Sequence, residues 1–412
     1  MSKLEQLINK LCPDGVEYKY LDKIFNIKNG YTPSKKKKEY WENGNIPWFR
    51  MEDIREHGRI LNDSIQHVTP CAIKGELFPK NSIIVSTTAT IGEHALILSP
   101  YLTNQQLTNF NIKKEYKHLL NIKFVYYYFF ELKEEMENLA NRGGGISIIS
   151  LTKLKKLKIP LPPLPVQEEI VRILDTFTEL TAELTAELTA ELTARKKQYE
   201  YYRDELIKNA RNAEYKTLEE ISIDMYRGAG IKRNEVSKTG IPCVRYGEIY
   251  TSYNILFNKC ISHTNENKQN SKKYFEYGDV LFAITGESVE EIAKSIVYLG
   301  NEKCLAGGDI VIMKHKQNPK YIGYALSTNS AQMQKSKGKV KSKVVHSSVP
   351  ALRKIKIPIP PLEEQEKIAN LIEKFDTLCN DITNGLPAEI EKRQKQYEYY
   401  RDKLLDFKEL SK

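Results

Sequence analysis

The heptapeptide QYEYYRD occurs twice, at residues 198–204 and 396–402, so the two copies stand 198 positions apart. The same spacing relates KLKIPLPPLPVQEEIVRIL, residues 156–174, to KIKIPIPPLEEQEKIANLI, residues 354–372, with no insertion or deletion. An in-register repeat of this length marks a tandem duplication and takes precedence over any element-by-element reading. The chain has 412 residues, more than a single core usually organises, so it divides into at least two domains, the second a copy of the first.

Each half opens on a similar phrase, EYKYLDKI at 17–24 and EYKTLEEI at 214–221, and about 140 residues of mixed α/β character follow. Short β-rich runs at 82–86 (SIIVS), 279–284 (DVLFAI) and 310–313 (IVIM) alternate with Gly, Pro and Asn turns. NIPWFR at 45–50 echoes GIPCVR at 240–245, but these regions have otherwise diverged far more than the repeated segments after them.

Each repeated segment starts with a proline hinge, IPLPPLP at 159–165 and IPIPPL at 357–362. Proline fixes φ and lacks a donor, so the hinge is a stiff extended lead-in that ends where a helix begins. Apolar residues then recur at Ile170, Ile173, Phe177, Leu180, Leu184, Leu188 and Leu192, and with identical steps at Ile368, Leu371, Phe375, Leu378, Ile382, Leu386 and Ile390. Twenty-two residues in six steps is about 3.67 per turn, the period of nearly straight packing. The first helix is expected from Val166 to about Asn209, pairing through this seam with its C-terminal counterpart. Its middle is a TAEL array, good helix-forming sequence that by itself also suits a solvated helix. In the second copy Gly385 and Pro387 stand in the array's place, and a break or kink is expected there.

The fold expected is α/β (α+β): two globular domains separated by a pair of long antiparallel helices, with pseudo-two-fold symmetry from the duplication. The divisions are residues 1–155, 156–210, 211–353 and 354–412: a first variable domain, a hinge with its helix, a second variable domain, and a second hinge with its helix.

A net charge of +10 favours a polyanionic partner, although a merely basic protein satisfies it equally. Cys12, Cys71, Cys243, Cys260, Cys304 and Cys379 form no C-x-x-C pair and no zinc spacing, which fits reduced thiols in a cytosol and implies no metal. The N-terminus carries no apolar signal core, and FVYYYFF at 124–130 is too short to span a membrane and is expected inside a domain. Phosphate loops, H-E-x-x-H and G-x-G-x-x-G are missing. Leu161-Pro162-Pro163-Leu164 looks like the tetrad of DNA amino-methyltransferases but has neither the amide nor the aromatic ring that chemistry needs, and reads as a hinge. No catalytic residue is expected.

Basic clusters point to nucleic acid. Lys35, Lys36, Lys37 and Lys38 follow Gly30-Tyr31-Thr32-Pro33-Ser34 on a turn that suits a phosphate backbone. Lys335, Lys337, Lys339, Lys341 and Lys343 alternate strictly, so an extended segment points all five to one face. Solvated charge is the bland alternative for each run. Arg50, Arg55, Arg59, Arg142, Arg227, Lys232, Arg233 and Arg245 have the groups for guanine or phosphate, and Asn104, Gln105 and Gln106 the amides that pair with adenine edges. With Tyr31, these are the candidate DNA-binding residues.

The order of variable domain, IPLPPLPVQEEI helix with TAEL repeats, second variable domain and IPIPPLEEQEKI helix resembles the DNA-specificity subunit of type I restriction-modification systems, in particular the subclass with tetrapeptide spacer repeats. The resemblance covers essentially the whole chain and includes GYTPS and IPWFR. It implies that each variable domain is a target-recognition domain reading one half of a bipartite, asymmetric site in double-stranded DNA. It also implies that the helices set the spacer and dock two copies of a methyltransferase subunit. S-adenosylmethionine is then expected on those partners, and ATP and Mg²⁺ on motor-nuclease subunits where present; no cofactor and no membrane belong to this chain. Two other classes remain open on sequence alone: a standalone methyltransferase or nuclease, and a non-specific nucleic-acid-binding coiled-coil scaffold.

Overall fold

The computed structural model of the protein describes residues 2–141, 147–265, 271–339, 344–380 and 386–410, and leaves undescribed the side chains of residues 378–380, 386 and 387. The chain divides into two compact units, Met1–Thr185 with Lys392–Lys412, and Ala186–Glu391.

Within the first unit a five-stranded sheet has the spatial order Phe25–Asn29, Leu107–Ile112, Ser82–Ser86, His94–Ile97, Ile60–Leu61, antiparallel except for its last, parallel pair. Strand Ile46–Phe49 lies in a smaller sheet, between His67–Val68 and Leu102–Thr103. The second unit repeats the plan. Its first sheet runs Ser222–Arg227, Ile310–His315, Val280–Ala283, Ser295–Tyr298, Leu256–Phe257, with the same single parallel pair. Strand Ile241–Val244 lies between Ser262–Thr264 and Cys304–Ala306. The β-rich runs read from the sequence are central strands of these sheets, buried on both faces.

The aromatic run 124–130 lies in helix Ile122–Leu139, where Phe124, Tyr126, Tyr127 and Phe129 are buried. Phe129 packs edge-on against Phe110 with ring centroids 5.2 Å apart, and Phe25 meets Phe110 at 5.9 Å. The run is therefore sheet-facing core.

Both hinges close a two-stranded ladder in one register: Lys19 opposes Ile159 in the first unit, and Lys216 opposes Ile357 in the second. Immediately after each hinge stands a fully buried glutamine. The Gln167 Nε2 donates to the carbonyls of Pro162 at 2.7 Å and Leu119 at 2.8 Å, while its Oε1 accepts the Asn121 N–H at 2.9 Å. Gln365 donates to the Pro360 carbonyl at 2.7 Å and Gln317 Oε1 at 2.8 Å, and accepts the Asn318 N–H at 2.9 Å. Asn121 and Asn318 are the N-caps of helices Ile122–Leu139 and Pro319–Ser327. One amide thus ties the hinge to the start of a globular-domain helix in each half, which gives the Gln of the repeated motif its physical reason.

The first long helix runs Leu164–Lys208, 45 residues, and the boundary between the units falls inside it. Its N-terminal part buries Val166, Ile170, Val171 and Leu174 in the first unit's core, as Ile368, Ala369 and Ile372 are buried in the second. The expected seam is therefore only part of the packing. Ile173 and Leu184 are half-buried, but Leu180 is 56% and Leu371 43% exposed, while the neighbouring helix face is buried in the core of each unit. Leu188, Leu192 and Ile390 are half-buried. The seam positions Leu378, Ile382 and Leu386 lie outside the described side chains. The C-terminal helix is described as Leu362–Asn380 and Leu386–Leu405; the break or kink expected at Gly385 and Pro387 falls on Gly385 and the neighbouring residues 381–384, which lie outside the described residues, and on the side chain of Pro387, which is not described.

The C-terminal end of the final helix, from Lys392 on, is part of the first unit. Leu405 is core, Phe407 meets the Phe124 ring, and the Tyr18 hydroxyl donates to the Phe407 carbonyl at 2.9 Å. Cys12, Cys71, Cys243, Cys260 and Cys304 are free thiols, and Cys379 is outside the described side chains.

Candidate nucleic-acid interface

In both units the chain leaves its first strand through a glycine that permits a backbone crossing. A Cβ on Gly30 would lie 2.0 Å from Thr103 Oγ1 and 2.3 Å from the Asn104 carbonyl; one on Gly228 would lie 2.2 Å from the Gly307 carbonyl. The next residue pairs with the crossed segment: Tyr31 N–H donates to Thr103 at 2.8 Å, Ala229 N–H to Ala306 at 3.0 Å. A third segment joins, since Asn104 N–H donates to Phe49 at 3.2 Å and Gly307 N–H to Val244 at 2.9 Å. Three loops therefore meet at one edge of each domain, and they carry the residues the sequence singled out around 31–38, 50 and 104–106, and around 227–233 and 245.

In the first domain Arg50 precedes helix Met51–His57, its backbone N–H donating to Asp53 Oδ2 at 2.6 Å. Its guanidinium pairs with Glu52 at 2.5 Å and lies 5.7 Å from the Trp48 ring. Arg55 is exposed on that helix. Asn104 is 9% exposed and bonded to Gln106 both ways, Nδ2 donating to Oε1 at 3.2 Å and Oδ1 accepting the Gln106 N–H at 3.1 Å. Gln105 is exposed and accepts the Thr32 hydroxyl at 2.5 Å. Asn104 is thus a scaffold for the loop, while Gln105 and Gln106 face solvent. Tyr31 is half-buried; its hydroxyl donates to the Ala72 carbonyl at 3.0 Å and accepts the Lys74 N–H at 2.6 Å, which makes it a brace.

The lysine turn has a defined shape. Lys37 N–H donates to the Ser34 carbonyl at 3.2 Å, closing a turn with Lys35 and Lys36 at its two central positions. The Trp41 indole donates to the same Ser34 carbonyl at 3.2 Å, and the Trp48 indole to the Tyr31 carbonyl at 3.1 Å. The two indoles meet edge to face at 4.9 Å. Lys37 faces Glu39 at 3.5 Å and lies 4.9 Å from the Tyr40 ring, and Lys38 faces Glu42 at 3.9 Å. Lys35 and Lys36 are exposed.

The second domain presents arginines around an open cleft of about 480 Å³, whose lining includes Gly230, Arg233, Arg245, Gly307, Gly308 and Asp309. Arg245 repeats the place of Arg50: it precedes helix Tyr246–Thr251 and its N–H donates to Glu248 at 3.0 Å. Its side chain lies 3.3 Å from Glu248, which also accepts the Ser262 hydroxyl at 2.7 Å. Arg227 pairs with Asp309 at 2.6 Å and donates to the Gly308 carbonyl. Lys232 and Arg233 are exposed.

Other expected residues lie elsewhere. Arg59 is committed to the fold: it pairs with Glu93, donates to the His94 carbonyl at 3.1 Å, and lies 5.3 Å from the Phe130 ring. The alternating lysines do not form one extended face. Lys335 belongs to helix Asn329–Ser336, capped by the Thr328 hydroxyl, and is 4% exposed. Its ammonium donates to Leu326 at 2.8 Å and Ser295 at 3.0 Å. Burial, with the charge of Arg203 second, pushes its pKa down to about 7. Helix capping and a polar slot in the core override the period-2 pattern. Lys337 is exposed, and Lys339 donates to the His346 carbonyl at 2.7 Å. Arg142, Lys341 and Lys343 lie outside the described residues.

The geometry suits binding of a polyanion through lysines and arginines on loops, with amides beside them for base edges. Sequence reasoning missed Trp41, Trp48, Glu248 and Asp309, which shape the loops; the echo of IPWFR in GIPCVR sets Cys243 opposite Trp48 and so does not single the tryptophan out. Among the described residues no cluster of His, Cys, Asp and Glu is suited to hold a metal ion.

The type I restriction modification DNA specificity domain matches this chain twice, over residues 13–194 and 211–392. The chain belongs to this family. Its two matched stretches begin 198 residues apart, the offset of the internal repeat. The specificity chain is 39% identical over 408 residues to the Escherichia coli type I restriction enzyme EcoprrI specificity subunit, covering 93% of this chain and 92% of that protein. It is 34% identical to the EcoR124I/EcoR124II specificity subunit of the same species, over 69% of this chain and 71% of that one. Two solved structures share the fold. A chain from a type I R-M system, solved to explain complex assembly and conformational transition, matches with a TM-score of 0.71 at 15% identity, covering 96% of this chain and 98% of that one. The HsdS subunit from Thermoanaerobacter tengcongensis matches with a TM-score of 0.52 at 14% identity, covering 96% and 97%. No helix among the described residues is long and apolar enough to cross a membrane.

Proposed function

We propose that this chain is the DNA-specificity subunit of a type I restriction-modification complex, in which each recognition domain reads one half of a bipartite, asymmetric site. The observation that carries the reading is the doubled family match, at the spacing of the internal repeat, on two domains that build the same sheet and bring basic residues to the same glycine-crossed edge, with amides beside them in the first. The functional divisions are residues 1–155 and 211–353 for recognition, and 156–210 and 354–412 for the hinges and helices. The chain holds no catalytic residue and no cofactor of its own. It docks two copies of a methyltransferase subunit that bind S-adenosylmethionine, and through them motor-nuclease subunits that use ATP and Mg²⁺, in the cytosol where the DNA lies. Arg233 and Arg245, with Gln105 and Gln106, are the candidate base readers. The TAEL array makes it a member of the tetrapeptide-spacer subclass, with repeat number setting the unread gap between half-sites.

A base-resolved methylome of cells expressing the chain with and without its methyltransferase partner tests this. A bipartite adenine-methylated motif with a fixed gap, present only with both, is the expected result; no motif, or one undivided motif, overturns it.

A further inference from the structure

The cationic groups of the first domain are not equivalent, and the difference assigns a role to a residue with no charge. Lys37 and Lys38 stand near Glu39 and Glu42, whereas Lys35 and Lys36 occupy the tip of the turn closed by Lys37 N–H on the Ser34 carbonyl. That carbonyl is also where the Trp41 indole donates, at 3.2 Å. Trp41 in turn rests edge-on against Trp48, which is 2% exposed and donates to Tyr31 at the base of the same loop. Thr69 fixes the far end, its N–H donating to Tyr40 at 3.0 Å and its hydroxyl to Glu39 at 2.7 Å. A lysine turn on a flexible loop gives up conformational entropy on meeting an anion; one already pinned from beneath does not.

We infer that the Ser34–Lys37 turn is a preformed clamp for the DNA phosphate backbone beside the first half-site, with Lys35 and Lys36 as the cations that meet it and Trp41 as the positioning residue that holds their carbonyl anchor. This rests on the DNA-recognition reading above. The second domain carries no tryptophan, since both in the chain stand at 41 and 48, so its half-site is held by other means, the arginines around the glycine-lined cleft. A phosphate clamp contributes affinity and register but reads no base.

The test is equilibrium binding of the assembled specificity–methyltransferase complex to cognate and scrambled duplexes across a salt series. For K35A/K36A the slope of log K against log salt is expected to become shallower by about 1.8, at about 0.9 for each phosphate no longer neutralised, while cognate preference stays unchanged. K35R/K36R keeps the wild-type slope. W41F, which keeps an aromatic ring and removes the N–H, is expected to weaken binding severalfold and to flatten the slope with lysines still present, while cognate preference is retained, a result that unfolding does not produce. A wild-type slope in K35A/K36A overturns the clamp, and wild-type binding by W41F overturns the positioning role. If the wild-type complex binds all duplexes alike while the lysine variant still has a shallower slope, the specificity reading falls and the clamp stands.

Discussion

Phe177 meets Tyr400 edge to face, ring centroids 6.3 Å apart and planes at 63°, and the residues 198 positions on from Phe177 and back from Tyr400, Phe375 and Tyr202, meet at 6.4 Å. The same two residue types thus pair once in each unit with the roles of the two repeats exchanged, edge to face in the first and stacked, with planes at 19°, in the second. A duplication whose copies packed only against themselves would not produce that exchange; in each unit one repeat's helix is met by the other's. Around the first pair the Thr178 and Tyr397 hydroxyls lie 2.9 Å apart, and Leu180, Leu184 and Gln396 line a shallow groove of about 220 Å³.

The Phe177–Tyr400 pair is expected to couple the two helices that carry it. F177A and Y400A should each destabilise by about 1–2 kcal/mol, with a coupling near ~1 kcal/mol in a double-mutant cycle, since aromatic pairs contribute roughly 0.5–1.5 kcal/mol beyond area burial. Urea unfolding of the wild type, the two single variants and the double variant measures it, and strictly additive effects would show the two rings to be uncoupled.

Replacing either buried glutamine should be among the most destabilising polar changes in the chain. Q167L strands two carbonyls and an N–H, each costing about 1–3 kcal/mol when buried unpaired, so a destabilisation of roughly 3 kcal/mol or more is expected. Q365L should match it within error. Thermal unfolding checks both, and an unchanged melting temperature in either would show the amide to be dispensable.

Lys335 makes stability depend on alkaline pH. Its folded pKa is lowered from 10.5 to about 7, so between these values the unfolded chain binds more protons than the folded one, and stability rises with pH across that window. Below the folded value the cost of the buried charge is felt in full. K335M abolishes the titration, and its unfolding free energy should be flatter than wild type across the same window; parallel curves would show the rise to come from other groups.

Deleting residues 185–188, one Thr-Ala-Glu-Leu unit, shortens the helix by about 6 Å and turns its two ends by about 40° relative to each other. The methylated motif should keep both half-sites and have a shorter gap between them. Altered half-sites would show that the array does more than space.

Elements with strong local signals were legible in the sequence. The proline hinge, the helix expected from Val166 and found from Leu164, and the central strands at 82–86, 280–283 and 310–315 follow from proline chemistry and apolar periodicity. At the interface, Arg50 and Arg245 could be paired from IPWFR and GIPCVR, and both stand immediately before a short helix whose third residue is a carboxylate. Lys335 defeats a pattern argument because alternation describes a strand only when no helix cap competes; Thr328 supplies the cap and the core supplies the slot. Arg59 defeats a charge argument because the sequence does not show that Glu93 stands beside it.

The sequence by itself determined the duplication, its offset of 198, the order of hinge, helix and variable domain, and hence the family. These are properties of position along the chain, and local residue chemistry records them directly. The tertiary structure alone decided which cations are exposed and which are held, that Asn104 braces while Gln105 faces solvent, and that Trp41 and Lys37 converge on one carbonyl. Those outcomes depend on pairings between segments that can lie tens of residues apart, whose partners are chosen by packing and burial rather than by spacing.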